Sequence, residues 1–375
     1  MSLQPFNESN DIVDLGPQSL ITSTWTNNTN DLNVLVTYTS SLQGGNDGMT
    51  SPTSSGMFYI DVKNAVTGST TAEVQFGVAY GNHLGSGSPD FTNDTGSLGI
   101  GASRVVYGQY RNLVFDNETS KFTFGDHTPD SIYVINVNRS RYKQKLSPGS
   151  LNLHLSSSGL NGTGSTGGGD WGGIVHLTDD SVSRGATVTN PNYVDASILG
   201  GYYNIVSGSN GSRSGSNANQ LLIGTAASAS NYGFFYPHAG LIILNGDAFS
   251  SSFGTAGVSN NINNGNQTTY DRPHQNFFNS IVGGGSFIVD TEEQINSKFY
   301  FVRARNSEFN YTNNESFTDD DNRILHSTMQ FNPKVFITTV GLYNNAAELV
   351  AVAKLSQPVA KDFTKEALIR VKLDY

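Results

Sequence analysis

The sequence predicts a mainly β protein: an antiparallel β-sandwich or barrel-like core with a few short helices, long Gly/Ser/Asn-rich loops and an extended N-terminal arm. Three observations carry that expectation. Several runs alternate apolar and polar residues with period two, the mark of a half-buried strand. Charged residues make up 14% of the 375, against about 25% in an average soluble protein, and 41 glycines with abundant Asn, Ser and Thr supply turns. No stretch repeats at a fixed period, which sets aside propellers and solenoids. With 17 Tyr and 21 Phe the chain also departs from the few-aromatic, high-charge composition of disorder, and its length suffices for a real core.

Taken in order, residues 1–50 are polar and read as an extended arm, with one strand-like run from Leu32 to Tyr38. Residues 51–330 form a β-rich core. It opens with strands from Met57 to Val62 and from Ala72 to Tyr80, the second placing Ala72, Val74, Phe76, Val78 and Tyr80 on one face. Ser103 to Phe115 is a helix, because Val106, Tyr110, Leu113 and Val114 share a face. Ile132 to Val137 and Leu151 to Leu155 return to strand. Residues 156–220 are low-complexity loops rich in Gly, Ser, Asn and Thr, interrupted by strands at Ile174 to Leu177 and Ser197 to Val206. The apolar run from Tyr232 to Leu244 is a core strand or strand pair bent at Pro237. Asp271 caps a second helix, with Pro273 in its first turn and Gly283 at its end, and Lys298 to Arg305 is the next strand. Residues 331–375 form a three-stranded segment packed on the core. Val335 to Tyr343 and Glu348 to Leu355 make a hairpin through Asn344-Asn345-Ala346-Ala347. After a break at Pro358, Ala367, Ile369, Val371 and Leu373 share one face of the third strand.

The chemistry-bearing patterns are sparse. A net charge of −10 argues against nucleic acid as a partner, since phosphate binding needs clustered Lys and Arg. Zero cysteines remove disulfides, thiol nucleophiles and Cys-based zinc sites. The first residues lack a basic segment followed by an apolar one, and no apolar run reaches the roughly 18 residues of a spanning helix, so we expect no membrane span and synthesis in a cytoplasm. Residues Gly162 to Gly167 match G-x-G-x-x-G, yet Gly168 and Gly169 follow where a phosphate-binding helix should open. The seven histidines (His83, His127, His154, His176, His238, His274 and His326) show no helical metal-pair spacing; His238, beside Pro237 in the apolar run, is a candidate orienting base or a hydrogen-bonded core or rim histidine. Asp319, Asp320 and Asp321 are consecutive where a calcium loop alternates its ligands, and Asp179-Asp180 offers two carboxylates of the kind a glycosidase uses. Arg139, Arg141, Lys143 and Lys145 are the one basic cluster. They are a candidate interface for an acidic patch on a neighbour, or a charged edge strand that resists aggregation.

Four blocks point further: residues 130–155 (DSIYVINVNRSRYKQKLSPGSLNLHL), 232–249 (YGFFYPHAGLIILNGDAF), 299–312 (FYFVRARNSEFNYT) and 332–375, with VGLYN leading to LVAVAKLSQP. Together they resemble a family of virion structural proteins of large contractile-tailed bacteriophages, notably those of marine cyanobacteria. The closing hairpin is also similar to modules of tail-fibre and baseplate proteins, with Asn344-Asn345-Ala346-Ala347 where those carry a GLY-D/N turn. The resemblance implies a non-enzymatic tail or baseplate component that reaches the virion after assembly in the bacterial host cytoplasm, oligomeric there, with other virion proteins or copies of itself as partners. It transfers no catalytic residue, cofactor or metal. A head or neck decoration protein is the variant. The alternative from another class is a host-receptor or carbohydrate-binding adhesin or depolymerase, for which Trp25, Trp171 and the tyrosines would stack on sugars.

Overall fold

The computed structural model describes residues 4–25, 36–38, 59–63, 73–85, 102–125, 127–156, 174–182, 194, 198–213, 232–246, 273–282, 285–310, 316–321 and 323–375. One helical turn, α1 (Glu8–Asp11), leads into β1 (Ile12–Ser23). There follow β2 (Val36–Tyr38), β3 (Tyr59–Lys63), β4 (Val74–Asn82), helix α2 (Ala102–Phe115), β5 (Ser131–Val137), β6 (Lys145–Leu146), β7 (Asn152–Ser156), β8 (Ile174–Asp179), β9 (Tyr203–Ser209) and β10 (Ser212–Arg213). The remainder comprises β11 (Gly233–Tyr236), β12 (Leu241–Asn245), helix α3 (Pro273–Val282), β13 (Ser286–Ile288), β14 (Asp290–Ala304), β15 (Val335–Tyr343), β16 (Leu349–Lys361) and β17 (Ala367–Asp374). The protein is mainly β, and its large sheet curls into a half-barrel. The chain divides into two units, Leu20–Glu293 and Met1–Ser19 with Gln294–Tyr375, where the sequence suggested boundaries near 50 and 330. The first residues belong with the last because Phe6 packs edge-on against Tyr300 of β14.

The unit Leu20–Glu293 is built on an antiparallel sheet in the order β13-β7-β8-β9-β11-β12-β5-β4-β3-β2, with β10 paired to β9. Its central strands are apolar on both faces because both faces are covered. Along β5, Tyr133, Ile135 and Val137 enter one core with Phe277, Phe278 and Ile281 of α3. Ile132 and Val134 enter the other with Val106, Tyr107 and Val114 of α2. The run from Tyr232 to Leu244 is thereby explained as the hairpin β11–β12, paired from Gly233↔Leu244 to Tyr236↔Leu241. Trp25 is buried in the α3-side core, where it donates from Nε1 to the Phe287 carbonyl at 3.1 Å.

In the unit formed by the two termini, β14 pairs antiparallel with β17 from Ser297↔Asp374 to Ala304↔Ala367, and β1 follows β14 in the sheet order. The ribbon β15–β16 supplies Val340 and Leu342 to a small core with Val371, Tyr300 and Val302. Asn344 shapes the ribbon's turn, its Oδ1 accepting from the N–H groups of Ala346 and Glu348. The break expected at Pro358 is absent, since β16 runs on to Lys361. Pairing skips from Thr339↔Lys354 to Ile337↔Val359, so Pro358 lies in a bulge where its missing N–H breaks no ladder bond.

Candidate interaction surfaces

The four basic residues lie in one segment that lines the β11–β12 turn, but they do not form an alternating strand. Asn138 accepts from the Ser140 N–H and its carbonyl from the Arg141 N–H, which winds residues Arg139–Arg141 into a 3-10 turn. Arg139 is exposed and folds back, donating to the Tyr142 carbonyl at 2.6 Å and stacking 4.6 Å above the Tyr142 ring. Arg141 is paired with Glu73 at 2.8 Å. Lys145, on β6, meets Glu292 at 3.4 Å, while Lys143 is exposed and its backbone N–H donates to Thr291 Oγ1. Two of the four charges are therefore compensated within the chain, leaving Arg139 and Lys143 as the outward cations of this segment. The Tyr142 ring fills the space above Gly240, whose φ is +64° and where a Cβ would approach a ring carbon to 2.6 Å. His238, in the same turn, is exposed as a residue, and partial desolvation of its ring, with the Lys145 charge, lowers its pKa from the usual histidine range.

Asp179 and Asp180 belong to a knot of turns in the same unit. Asp179 is fully buried and accepts from the Gly149 and Ser181 N–H groups. Asp180 is turned toward Asn204, accepting from its backbone N–H at 3.0 Å and its side-chain amide at 3.2 Å. Burial pushes the Asp179 carboxyl up and the Asp180 carboxyl up to about 6. In the same unit a shallow groove of about 450 Å³ is lined by Ser147, Gly149, Asn152, Val182, Asn210 and Asp290, among others, and neither Asp179 nor Asp180 lines it. Asn152 donates there to Asn210 Oδ1 and accepts from the Asn210 N–H. Asp179 is held by backbone donors and Asp180 by the backbone and side-chain amide of Asn204, so the arrangement fastens turns together.

Asp319 likewise folds on itself, accepting from the N–H groups of Asp321 and Arg323. Among the described residues no group of three or more His, Cys, Asp or Glu could hold a metal ion, and no helix is long and apolar enough to cross a membrane. The G-x-G-x-x-G segment and Trp171 lie outside the described residues.

The terminal unit exposes apolar side chains in quantity. Phe336 on β15 is 61% exposed, Val350 and Val352 on β16 are 66% and 58% exposed, and Phe331 is 93% exposed. Leu349 and Leu368 join them. Val350 and Val352 project from one side of β16, opposite Ala351 and Ala353, which pack on the small core. β16 thus carries apolar residues on both of its faces.

One pairing is invisible in sequence spacing. His154 and His176 are 22 positions apart, but the β7–β8 register sets them directly opposite, with ring centres 4.1 Å apart. Only the strand pairing could have revealed it.

No protein-family model, no curated protein and no solved structure matches this chain.

Proposed function

We propose that this chain is a non-enzymatic building block of a tailed-phage particle, in the tail or baseplate, and that it acts through contacts with copies of itself or with other virion proteins. The observation that supports this reading most is the apolar surface on β15 and β16, Phe336, Val350 and Val352, in the block where the resemblance to phage virion proteins is most specific. A two-stranded ribbon is marginal alone in water, and contiguous exposed apolar area is where protein partners dock. Interfaces of about 1,600 Å² are the usual size for such contacts. The saccharide-binding alternative loses Trp25, which is buried in a core and hydrogen-bonded there. Electron microscopy of intact particles tests the proposal: the chain should occupy fixed, symmetry-related positions in the tail or baseplate, with β15 and β16 covered. Finding it absent from particles, or present with that face bare, overturns it.

A further inference from the structure

We propose that His154 and His176 form a two-point binding site for a divalent transition-metal ion of the copper, nickel and zinc group. The proposal is independent of the particle role. The two residues are register partners on adjacent antiparallel strands, which holds their Cβ atoms at cross-strand distance on the same face of the sheet. Leu153 and Leu155, the neighbours of His154 in β7, face the opposite way, into the α3-side core, so both imidazoles are held on the sheet's other face by the pleat alone. His154 and His176 are each half-buried.

The ring spacing suits a shared ion. A metal about 2.1 Å from one nitrogen of each ring, with the two bonds near a right angle, holds the ring centres roughly 4.5 Å apart. Here they are 4.1 Å apart and tilted by 40°, close to that spacing, so rotation of the rings to aim one nitrogen of each at a common point admits the ion. Ser286 on β13, the register partner of His154 on its other side, has its Oγ 3.0 Å from His154 Nδ1. When that hydroxyl accepts from Nδ1–H, the lone pair resides on Nε2, one of the two nitrogens through which imidazole ligates metal; a hydrogen bond to the second nitrogen is how proteins orient a ligating imidazole. Water completes the coordination.

The test uses the full chain, stripped with EDTA and titrated with Ni²⁺ or Cu²⁺ while histidine ring resonances are followed by NMR. Expected is binding of one ion with paramagnetic broadening of His154 and His176 before the other five histidines, Cu²⁺ binding more tightly than Ni²⁺ or Zn²⁺, and reversal by EDTA. His176→Asn should weaken binding at least tenfold, and His154→Gln should do the same where it folds. Broadening that begins at other histidines, affinity unchanged in His176→Asn, or no binding by the wild-type chain would each overturn the proposal; the wild-type spectra decide it even where a variant fails to fold.

Discussion

The Lys361 ammonium donates to Asn310 Oδ1 at 2.7 Å from a side chain that is only 1% exposed. Its two further partners are the carbonyls of Asn306, at 3.3 Å, and Glu308, so all three protons of the ammonium meet oxygen. Burial lowers the Lys361 pKa, opposed by the charges of Glu308, Asp362 and Glu366. A lysine kept there at that desolvation cost pins residues 306–310 to the end of β16. Lys361→Met removes the cation and strands three acceptors, a loss of about 2–4 kcal/mol. We expect amide exchange across residues 305–310 to accelerate by about 30-fold or more; unchanged protection there would show that the ammonium is not what holds the loop.

Asp180 gives the unit Leu20–Glu293 a stability that increases on mild acidification. Its folded-state pKa of about 6 exceeds the roughly 3.9 of an unfolded aspartate, so the folded chain binds the proton more tightly. Above pH 6 the buried carboxylate costs about 2–3 kcal/mol; the cost shrinks as pH falls through the window from 6 to 3.9 and is gone below it. Asp179, also raised by burial, acts in the same direction, whereas His83 and His238, lowered chiefly by burial, act in the opposite one. Comparison with Asp180→Asn isolates the single group. Urea unfolding at pH 7.5 and pH 5.0 should show the wild type gaining stability relative to the variant on acidification, and parallel profiles would sink the argument.

How far the sequence could carry the reading follows from which residues were constrained on both sides. The α2 and α3 segments and the strands of the central sheet were legible, because Val106, Phe277 or Ile135 must face a core wherever the chain goes. β1 was not: Val13, Leu15, Leu20 and Ile21 stay exposed and Gly16 has φ +66°, so no period survives. The division of the chain was hidden for a similar reason, since the partnership of Phe6 with Tyr300 spans nearly the whole sequence. The basic cluster was visible as composition, but its winding by Asn138 and its internal pairing with Glu73 and Glu292 depend on tertiary neighbours. The same holds for His154 and His176, whose meeting is a property of strand register.

Gly81 sets the distance between β4 and α2. A Cβ there would lie 2.9 Å from both the backbone N and the Cα of Tyr107 and 3.2 Å from Ile132 Cγ1, and the first two are backbone atoms that cannot rotate aside. Gly81→Ala should push the helix outward, cost about 1–3 kcal/mol as overpacking, and disturb the bond in which the Phe122 N–H donates to the Tyr107 hydroxyl. Gly108, one residue along the same helix, has only the Arg111 side chain near, at 3.9 Å. There Ala should stabilise by about 0.5–1 kcal/mol through helix propensity. Opposite shifts in thermal midpoint check the pair; a rise in midpoint for Gly81→Ala would show that the close approach of β4 to α2 does not constrain that position.

Val350 and Val352 separate folding from assembly. Both project away from the small core and are more than half exposed, so replacing them with glutamate should leave stability within about 0.5 kcal/mol. The same change puts two carboxylates on a face that, on the proposed function, is buried against a neighbour, where each uncompensated charge is strongly penalised. The double variant Val350→Glu/Val352→Glu should therefore fold normally by circular dichroism yet be outcompeted at least tenfold by wild-type protein for incorporation into particles. Lys354→Glu on the same strand, which exchanges one charge for another, serves as the reference for charge alone. Equal incorporation of the double variant and wild type would show that the apolar surface of β16 is not a contact surface, and the proposed role would then have to rest on another face of the molecule.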